Sequence, residues 1–137
     1  MPATENRYPE LIKALIRKES VGDLYAIGDK HLVNKAYGPL QIRQPAVDDV
    51  NRVYATHHKA EDCLGNLELS IRIFHRYMEI YATEARLGRP VTDEDRARIW
   101  NGGPSGWKRR STVAYWRDVH NKLLAIREAS KLANPIG

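Results

Sequence analysis

Two carboxylates near the start of the chain have the spacing and surroundings of a glycosidase pair. Glu19 closes the first stretch of helical periodicity, and Asp29 follows ten residues later in a glycine-flanked turn, ahead of the segment Ala36 to Ile42. Cleavage of a glycosidic bond needs a protonated acid over the leaving oxygen and, in most enzymes, an ionised carboxylate beside the anomeric carbon. The pair therefore suggests glycoside cleavage, with Glu19 as general acid and Asp29 as second carboxylate.

Each carboxylate has two possible interpretations at this point. Glu19 follows Arg17 and Lys18, so it could be a solvated residue in a charged run. However, a carboxyl at a helix C-terminus faces the negative end of the helix dipole, which raises its pKa and suits a general acid. Asp29 could be a turn aspartate that hydrogen-bonds its own backbone. In the functional interpretation, its loop folds back and places it, ionised, opposite a protonated Glu19.

Two turns rich in glycine and proline are the predicted walls of a sugar cleft. Residues 36–42 combine a tight Gly-Pro turn with an amide that both donates and accepts hydrogen bonds. Residues 101–106 contain two adjacent glycines, which let a polymer run close to the main chain. Either turn could also be a simple connection between secondary-structure elements, without a role in binding. The predicted glycan-binding residues are Ser20, Tyr37, Gly38, Gln41, Ile42, Asn101, Gly102 and Gly103.

Five helices are predicted to position these residues, because apolar side chains recur at helical spacing in five stretches. The predicted helices are 9–20, 45 to between 54 and 58, 64–85, 93–100 and 113–126. Thr92 is the expected cap of the fourth helix, and Ser111 or Thr112 that of the fifth. Residues 21–35 lose the helical period and should form a small hairpin or irregular lobe. The predicted class is α+β, predominantly helical, with this lobe beside a helical core.

Length and composition indicate one domain over residues 1–137. With 28% charged and 42% apolar residues, the chain is neither a disordered polyelectrolyte nor a membrane protein. We find no signal peptide and no membrane-spanning segment, so we expect synthesis in the cytoplasm and no membrane insertion. Cys63 is the only cysteine, which excludes an internal disulfide.

The excess of basic residues favours polyanionic partners. The net charge is +5, and Trp107 precedes three consecutive basic residues, which leaves a nucleic-acid groove open as an alternative. No base-reading motif accompanies this basic cluster, so we expect no specific nucleic acid. The histidines lack a zinc spacing, and the serines lack a nucleophile-elbow context, so we expect no metal and no cofactor.

Several motifs, taken in order, resemble those of the invertebrate-type lysozymes. The resemblance is carried by Glu19-Ser20, Asp29, Tyr37-Gly-Pro-Leu-Gln-Ile42, Ala97-Arg-Ile-Trp-Asn-Gly-Gly-Pro-Ser-Gly106, Ser111-Thr112 and Tyr115-Trp116. It spans most of the chain, and its early motifs are also similar to those of goose-type lysozymes and lytic transglycosylases. Tyr37 and Trp107 stand where the family usually has cysteine, so the chain resembles a disulfide-free relative.

The resemblance implies a lysozyme-like fold and a bacteriolytic, antimicrobial muramidase. Such an enzyme hydrolyses the β-1,4 bond between N-acetylmuramic acid and N-acetylglucosamine in peptidoglycan, and Glu19 and Asp29 match its general acid and second carboxylate. We expect a monomer that binds peptidoglycan glycan strands. We also expect it to reach the cell wall after release or delivery, by a phage-type route or a secretion machine.

Two alternatives remain open at this point. Lytic transglycosylases use a single catalytic glutamate and form 1,6-anhydro products, so Glu19 alone would suffice for that activity. A non-catalytic glycan- or nucleic-acid-binding module would bind its ligand without turnover, with a steep salt dependence if the ligand is nucleic acid.

Overall fold

The computed structural model describes residues 7–133, in which six α-helices pack beside a two-stranded sheet. The helices are α1 (Pro9–Ser20), α2 (Gln44–Tyr54), α3 (Leu67–Tyr81), α4 (Glu84–Leu87), α5 (Asp93–Gly102) and α6 (Val113–Ala133). Strands β1 (Ile27–Gly28) and β2 (Ala36–Tyr37) pair antiparallel. The α+β, predominantly helical class is confirmed, and the predicted lobe at 21–35 contains the first strand of this hairpin. The frayed tail expected at 134–137 lies outside the described residues.

Helix α3 provides the centre of the core. Its side chains Ile73 and Phe74 are fully buried, and Phe74 meets the Trp100 ring of α5 edge to face, with centroids 5.0 Å apart. Helix α1 packs along α6, where Leu15 and Leu123 are both buried. None of the helices described is both long and apolar enough to cross a bilayer.

The predicted central helix, 64–85, is wrong at both ends. Helix α3 begins at Leu67, because the Asn66 side chain caps it by accepting a hydrogen bond from the Leu69 backbone N–H at 3.0 Å. It ends at Tyr81, and Thr83 caps the separate short helix α4. The apolar stripe continues through these breaks because the chain stays against the same core, so periodicity alone does not reveal them.

The helices on either side of the 101–106 turn are joined by one hydroxyl. As predicted, Thr92 caps α5, which continues two residues past Trp100 to Gly102. The Thr112 hydroxyl lies in a 3-10 turn before α6, donates to the Gly106 carbonyl at 2.7 Å and accepts from the Arg98 guanidinium at 2.8 Å. Thr112 therefore ties the late turn to α5 and the start of α6.

The 37–42 turn is held from three sides. Tyr37 and Ile42 exchange two backbone hydrogen bonds of 2.9 Å, and the Gly38 N–H donates to the Ala26 carbonyl at 2.8 Å. Gly38 has φ +79°, and a Cβ there would lie 2.5 Å from the Cys63 carbonyl oxygen. Only glycine satisfies both the left-handed backbone and this close approach.

We expect Gly38→Ala to destabilise the protein more than Gly22→Ala does. Both glycines have φ near +80°, but a Cβ at Gly22 would meet no atom within 4 Å. Gly22→Ala should therefore cost only the left-handed strain of about 1 kcal/mol. Gly38→Ala adds overpacking against backbone and should cost roughly 3 kcal/mol. Urea unfolding of both variants measures the difference, and equal losses would contradict the close packing at Gly38.

Candidate active site

A cleft of about 310 Å³ opens between the end of α1, the hairpin, the start of α2, the second half of α3 and the end of α5. Of the residues predicted from the sequence, those lining it are Glu19, Asp29, Gln41, Ile42 and Asn101. Residues that the sequence analysis did not assign to the site line it as well, chiefly Arg43, Tyr77 and Trp100. The structure thus brings the two carboxylates to one cavity together with parts of both predicted turns.

Glu19 occupies the last turn of α1 and is half-buried. Its Oε2 accepts a hydrogen bond from the Tyr115 hydroxyl of α6 at 2.7 Å. Burial raises the pKa of Glu19, while the Tyr115 hydrogen bond and the positive charges of Lys18 and Arg43 oppose that rise. The predicted direction is correct, but burial is the largest cause, rather than the position at a helix end.

Ser20 does not line the cleft, although it was predicted to bind substrate. Its hydroxyl is buried and donates to the Pro39 carbonyl at 2.8 Å and to the Ile16 carbonyl at 3.1 Å. The bond to Pro39 joins the end of α1 to the 37–42 turn, and the Ile16 carbonyl of α1 shares the same hydroxyl proton. Ser20 therefore holds its neighbour Glu19 in place relative to the cleft wall.

Asp29 follows β1 directly and has a left-handed backbone with φ +52°. Its carboxylate forms an ion pair with Arg43, and the same guanidinium donates to the Asn34 carbonyl at 2.6 Å. The Asp29 backbone carbonyl closes the turn by accepting from the Leu32 N–H. The carboxylate is therefore directed towards a cation in the cleft.

Some of the predicted turn residues line the cleft, and others only stabilise the structure around it. Gln41 lines the cleft, yet its amide donates to the Ala26 carbonyl at 3.2 Å and the Gly38 carbonyl at 3.0 Å, so it also braces the lobe. The remaining predicted binding residues lie outside the lining, at Tyr37, Gly38, Gly102 and Gly103. Gly102 instead completes α5, where a Cβ would meet the Thr112 methyl group at 2.5 Å.

Trp100 and Tyr77 form an aromatic wall that the sequence analysis did not assign to the site. Their rings meet edge to face with centroids 5.6 Å apart, and the Trp100 indole donates to the Leu40 carbonyl at 3.3 Å. Such a wall presents fixed apolar surface to a ligand. Trp100 and Tyr115 both lie in the late motifs that resemble those of invertebrate-type lysozymes, so these motifs could have indicated them as site residues. No motif indicated Arg43.

The other predicted features lie away from this cleft. In the basic cluster, Lys108 lies over the Trp107 ring, and Arg89 from outside the cluster does the same, with their charges 5.5 and 5.6 Å from its centroid. In residues 7–133, no group of three His, Cys, Asp or Glu side chains is arranged to hold a metal ion. Cys63 is buried, and its pKa is raised to about 11, chiefly by burial.

Comparison with known proteins identifies relatives by sequence. No family model matches the chain. A lysozyme of Magallana gigas is 33% identical over 85 residues, which cover 62% of this chain and 58% of that protein. An invertebrate-type lysozyme of Ruditapes philippinarum is 33% identical over 79 residues, which cover 58% of this chain and 54% of that protein. The chain thus matches little more than half the length of these curated relatives.

The fold also has a counterpart among solved structures. The crystal structure of an inhibitor-bound lysozyme from Meretrix lusoria superposes with a TM-score of 0.69 at 24% identity, over 82% of this chain and 87% of that one. This agreement confirms the predicted lysozyme-like fold, and the sequence relatives confirm the resemblance. The chain therefore has a lysozyme-like fold and is similar in sequence to the invertebrate-type lysozymes.

Proposed function

We propose that this protein is a muramidase that hydrolyses the β-1,4 bond between N-acetylmuramic acid and N-acetylglucosamine in peptidoglycan. The observation that carries the proposal is that Glu19 and Asp29 line one cleft in different surroundings. Burial favours the protonated form of Glu19, whereas Asp29 is ion-paired with Arg43. Two carboxylates in such contrasting surroundings supply an acid and an anion at the same pH.

In the proposed mechanism, Glu19 transfers its proton to the glycosidic oxygen as the bond to the anomeric carbon breaks. The leaving sugar departs as an alcohol, and positive charge develops on the remaining ring. The Asp29 carboxylate stabilises that charge, as nucleophile or as electrostatic partner. Water then adds at the anomeric carbon and gives a proton to the Glu19 carboxylate, which restores the acid and frees Asp29. Because Asp29 is ion-paired with Arg43, its carboxylate must divide its negative charge between Arg43 and the developing cation.

The walls of the cleft support binding of a glycan strand. The half-buried Trp100 presents aromatic surface to sugar rings, with the buried Tyr77 ring packed against it, and Asn101 and Gln41 supply amide groups next to it. The net charge of +5 favours approach to an anionic cell wall. We further propose that the protein acts on the wall after release or delivery from the cell that makes it.

One observation favours a second candidate, a lytic transglycosylase. The Asp29 carboxylate already has a cationic partner in Arg43, which reduces the negative charge that it offers to a sugar cation. A transglycosylase needs only the glutamate, because the substrate's own hydroxyl attacks the anomeric carbon and yields a 1,6-anhydro product.

Glu19→Gln should abolish the clearing of purified peptidoglycan while the protein stays folded. Glutamine keeps the shape and still accepts the Tyr115 hydrogen bond, but it has no acidic proton to transfer, so kcat should fall roughly 100-fold or more. Glu128→Gln removes an exposed carboxylate on α6 and is the matched control, with unchanged activity expected. Clearing by a well-folded Glu19→Gln protein would exclude Glu19 as the acid.

Asp29→Asn should separate the two candidate enzymes. A muramidase should lose roughly 100-fold or more in kcat, because a neutral amide cannot stabilise the sugar cation as a carboxylate does. A transglycosylase should keep most of its activity. Mass spectrometry of the wild-type products gives an independent answer, since hydrolysis yields free reducing ends and transglycosylation yields anhydro ends. Anhydro ends from the wild-type protein would overturn the muramidase proposal.

Glu19→Gln should also change how stability depends on pH. Because the pKa of Glu19 is raised on folding above its ordinary value of 4.5, the folded protein binds this proton more strongly than the unfolded chain. The stabilisation from Glu19 is thus complete below the unfolded pKa and is lost as pH rises through the folded pKa. Glutamine does not titrate, so the stability of Glu19→Gln relative to wild type should increase from acid to neutral pH. Urea unfolding across this range tests it, and a pH-independent difference would contradict a raised pKa.

A further inference from the structure

The hydrogen bond between Tyr115 and Glu19 joins the proposed acid on α1 to the last helix, α6. Tyr115 lies in the first turns of α6, 96 positions along the chain from Glu19, and its hydroxyl donates to Oε2 at 2.7 Å. Tyr115 does not line the cleft, so it is not placed to touch the substrate. Whatever it does for catalysis must act through Glu19.

The two carboxyl oxygens of Glu19 have different surroundings. Oε2 accepts the Tyr115 hydrogen bond, whereas Oε1 makes no hydrogen bond with residues 7–133 and is not sealed from solvent. Burial and the neighbouring carboxylates of Glu19 and Asp118 raise the pKa of Tyr115, so its hydroxyl stays a donor at every pH relevant to catalysis. An oxygen that accepts from a permanent donor is a poor site for the acid proton of the same carboxyl group.

Charged side chains on α1, α2, α6 and the hairpin also lie near Glu19. Lys18 precedes it on α1 and forms an ion pair with Asp118 of α6 at 2.7 Å. Arg43 comes from the start of α2, and Asp29 shares the cleft from the hairpin. Lys18 and Arg43 both stabilise the carboxylate, but neither makes a hydrogen bond with it. Tyr115 alone among the described residues distinguishes one carboxyl oxygen from the other.

We propose that Tyr115 is a positioning residue that holds the acid proton of Glu19 on Oε1, the oxygen that does not accept its hydrogen bond. This inference rests on the proposed glycosidase activity. During the reaction, the Oε1–H bond breaks as the proton forms a new O–H bond to the leaving sugar, and the carboxylate left behind bears the negative charge. The Tyr115 hydrogen bond then becomes charge-assisted, so it stabilises the transition state more than the ground state.

The consequence is that Tyr115 contributes to turnover and not to substrate binding. Without its hydroxyl, the proton can occupy either oxygen, and the carboxylate that forms on proton transfer loses a donor. Glu19 then becomes a weaker acid, so two effects follow together: kcat falls, while the pH above which Glu19 deprotonates rises. A residue that only packs against α1 would not produce this combination.

Tyr115→Phe tests the proposal, with Tyr54→Phe as matched control. Phenylalanine keeps the ring at 115 and removes only the hydroxyl. The Tyr54 hydroxyl also donates to a carboxylate, that of Glu79, but away from the cleft. We expect Tyr115→Phe to lower kcat on peptidoglycan about 10-fold to 100-fold with KM unchanged, and to move the alkaline limb of the kcat profile to higher pH. Tyr54→Phe should alter none of these.

Replacement of Tyr115 by 3-fluorotyrosine gives a second test that preserves the fold, in case Tyr115→Phe unfolds. Fluorine makes the phenol a stronger donor, so the alkaline limb should move to lower pH, opposite to Tyr115→Phe. The proposal would be overturned if the alkaline limb of the kcat profile stayed at the same pH in both variants. It would also be overturned if Tyr115→Phe changed kcat no more than Tyr54→Phe does.

Direct titration of Glu19 by infrared or NMR spectroscopy separates this inference from the proposed function. If wild type fails to cleave peptidoglycan, the proposed function fails. The titration of Glu19 in Tyr115→Phe still reports whether Tyr115 acts on this carboxyl group, and an unchanged titration would overturn the inference even in an active enzyme.

Discussion

The packing of α1 along α6 is the constraint on which the site depends. It buries Leu15 against the core and brings Tyr115 to Glu19, two residues that are 96 positions apart in sequence. A carboxyl group at the exposed end of a helix would be solvated and would titrate at its ordinary pKa. The contact with α6 removes much of that solvation, which disfavours the charged form. The acid strength of Glu19 is therefore a property of helix packing.

A second set of contacts fixes the cleft wall relative to this helix pair. The Ser20 hydroxyl binds the Pro39 carbonyl, and Gly38 approaches the Cys63 carbonyl more closely than any side chain would allow. These contacts use backbone atoms, so they set the position of the turn without depending on long, flexible side chains. Ser20, the neighbour of the proposed acid Glu19, is thus fixed to the 37–42 turn, as precise placement of a catalytic group requires.

Local signals in the sequence were sufficient for most of the fold and for part of the site. Helical periodicity located α1, α2, α5 and α6, and the carboxylates were evident from their position at a helix end and in a turn. The ends of α3 were missed because a cap at Asn66 and a new helix after Thr83 interrupt the chain without interrupting its apolar stripe. The partners of the carboxylates, Tyr115 and Arg43, were missed because those contacts arise from tertiary packing, which residue spacing does not encode.

The two carboxylates are kept different by the elements that hold them. Glu19 belongs to the helical core, where burial favours its neutral form, and Asp29 belongs to the exposed hairpin, where its side chain remains 43% exposed beside Arg43. The core is held by packing that ligands do not disturb, whereas the Asp29 ion pair is between two half-exposed groups and is weak enough to rearrange. A glycan entering the cleft can therefore redirect Asp29 far more easily than Glu19. The environment of the proposed acid, Glu19, is thus preformed by the fold, and the proposed role of Asp29 depends on what a ligand does to its pairing with Arg43.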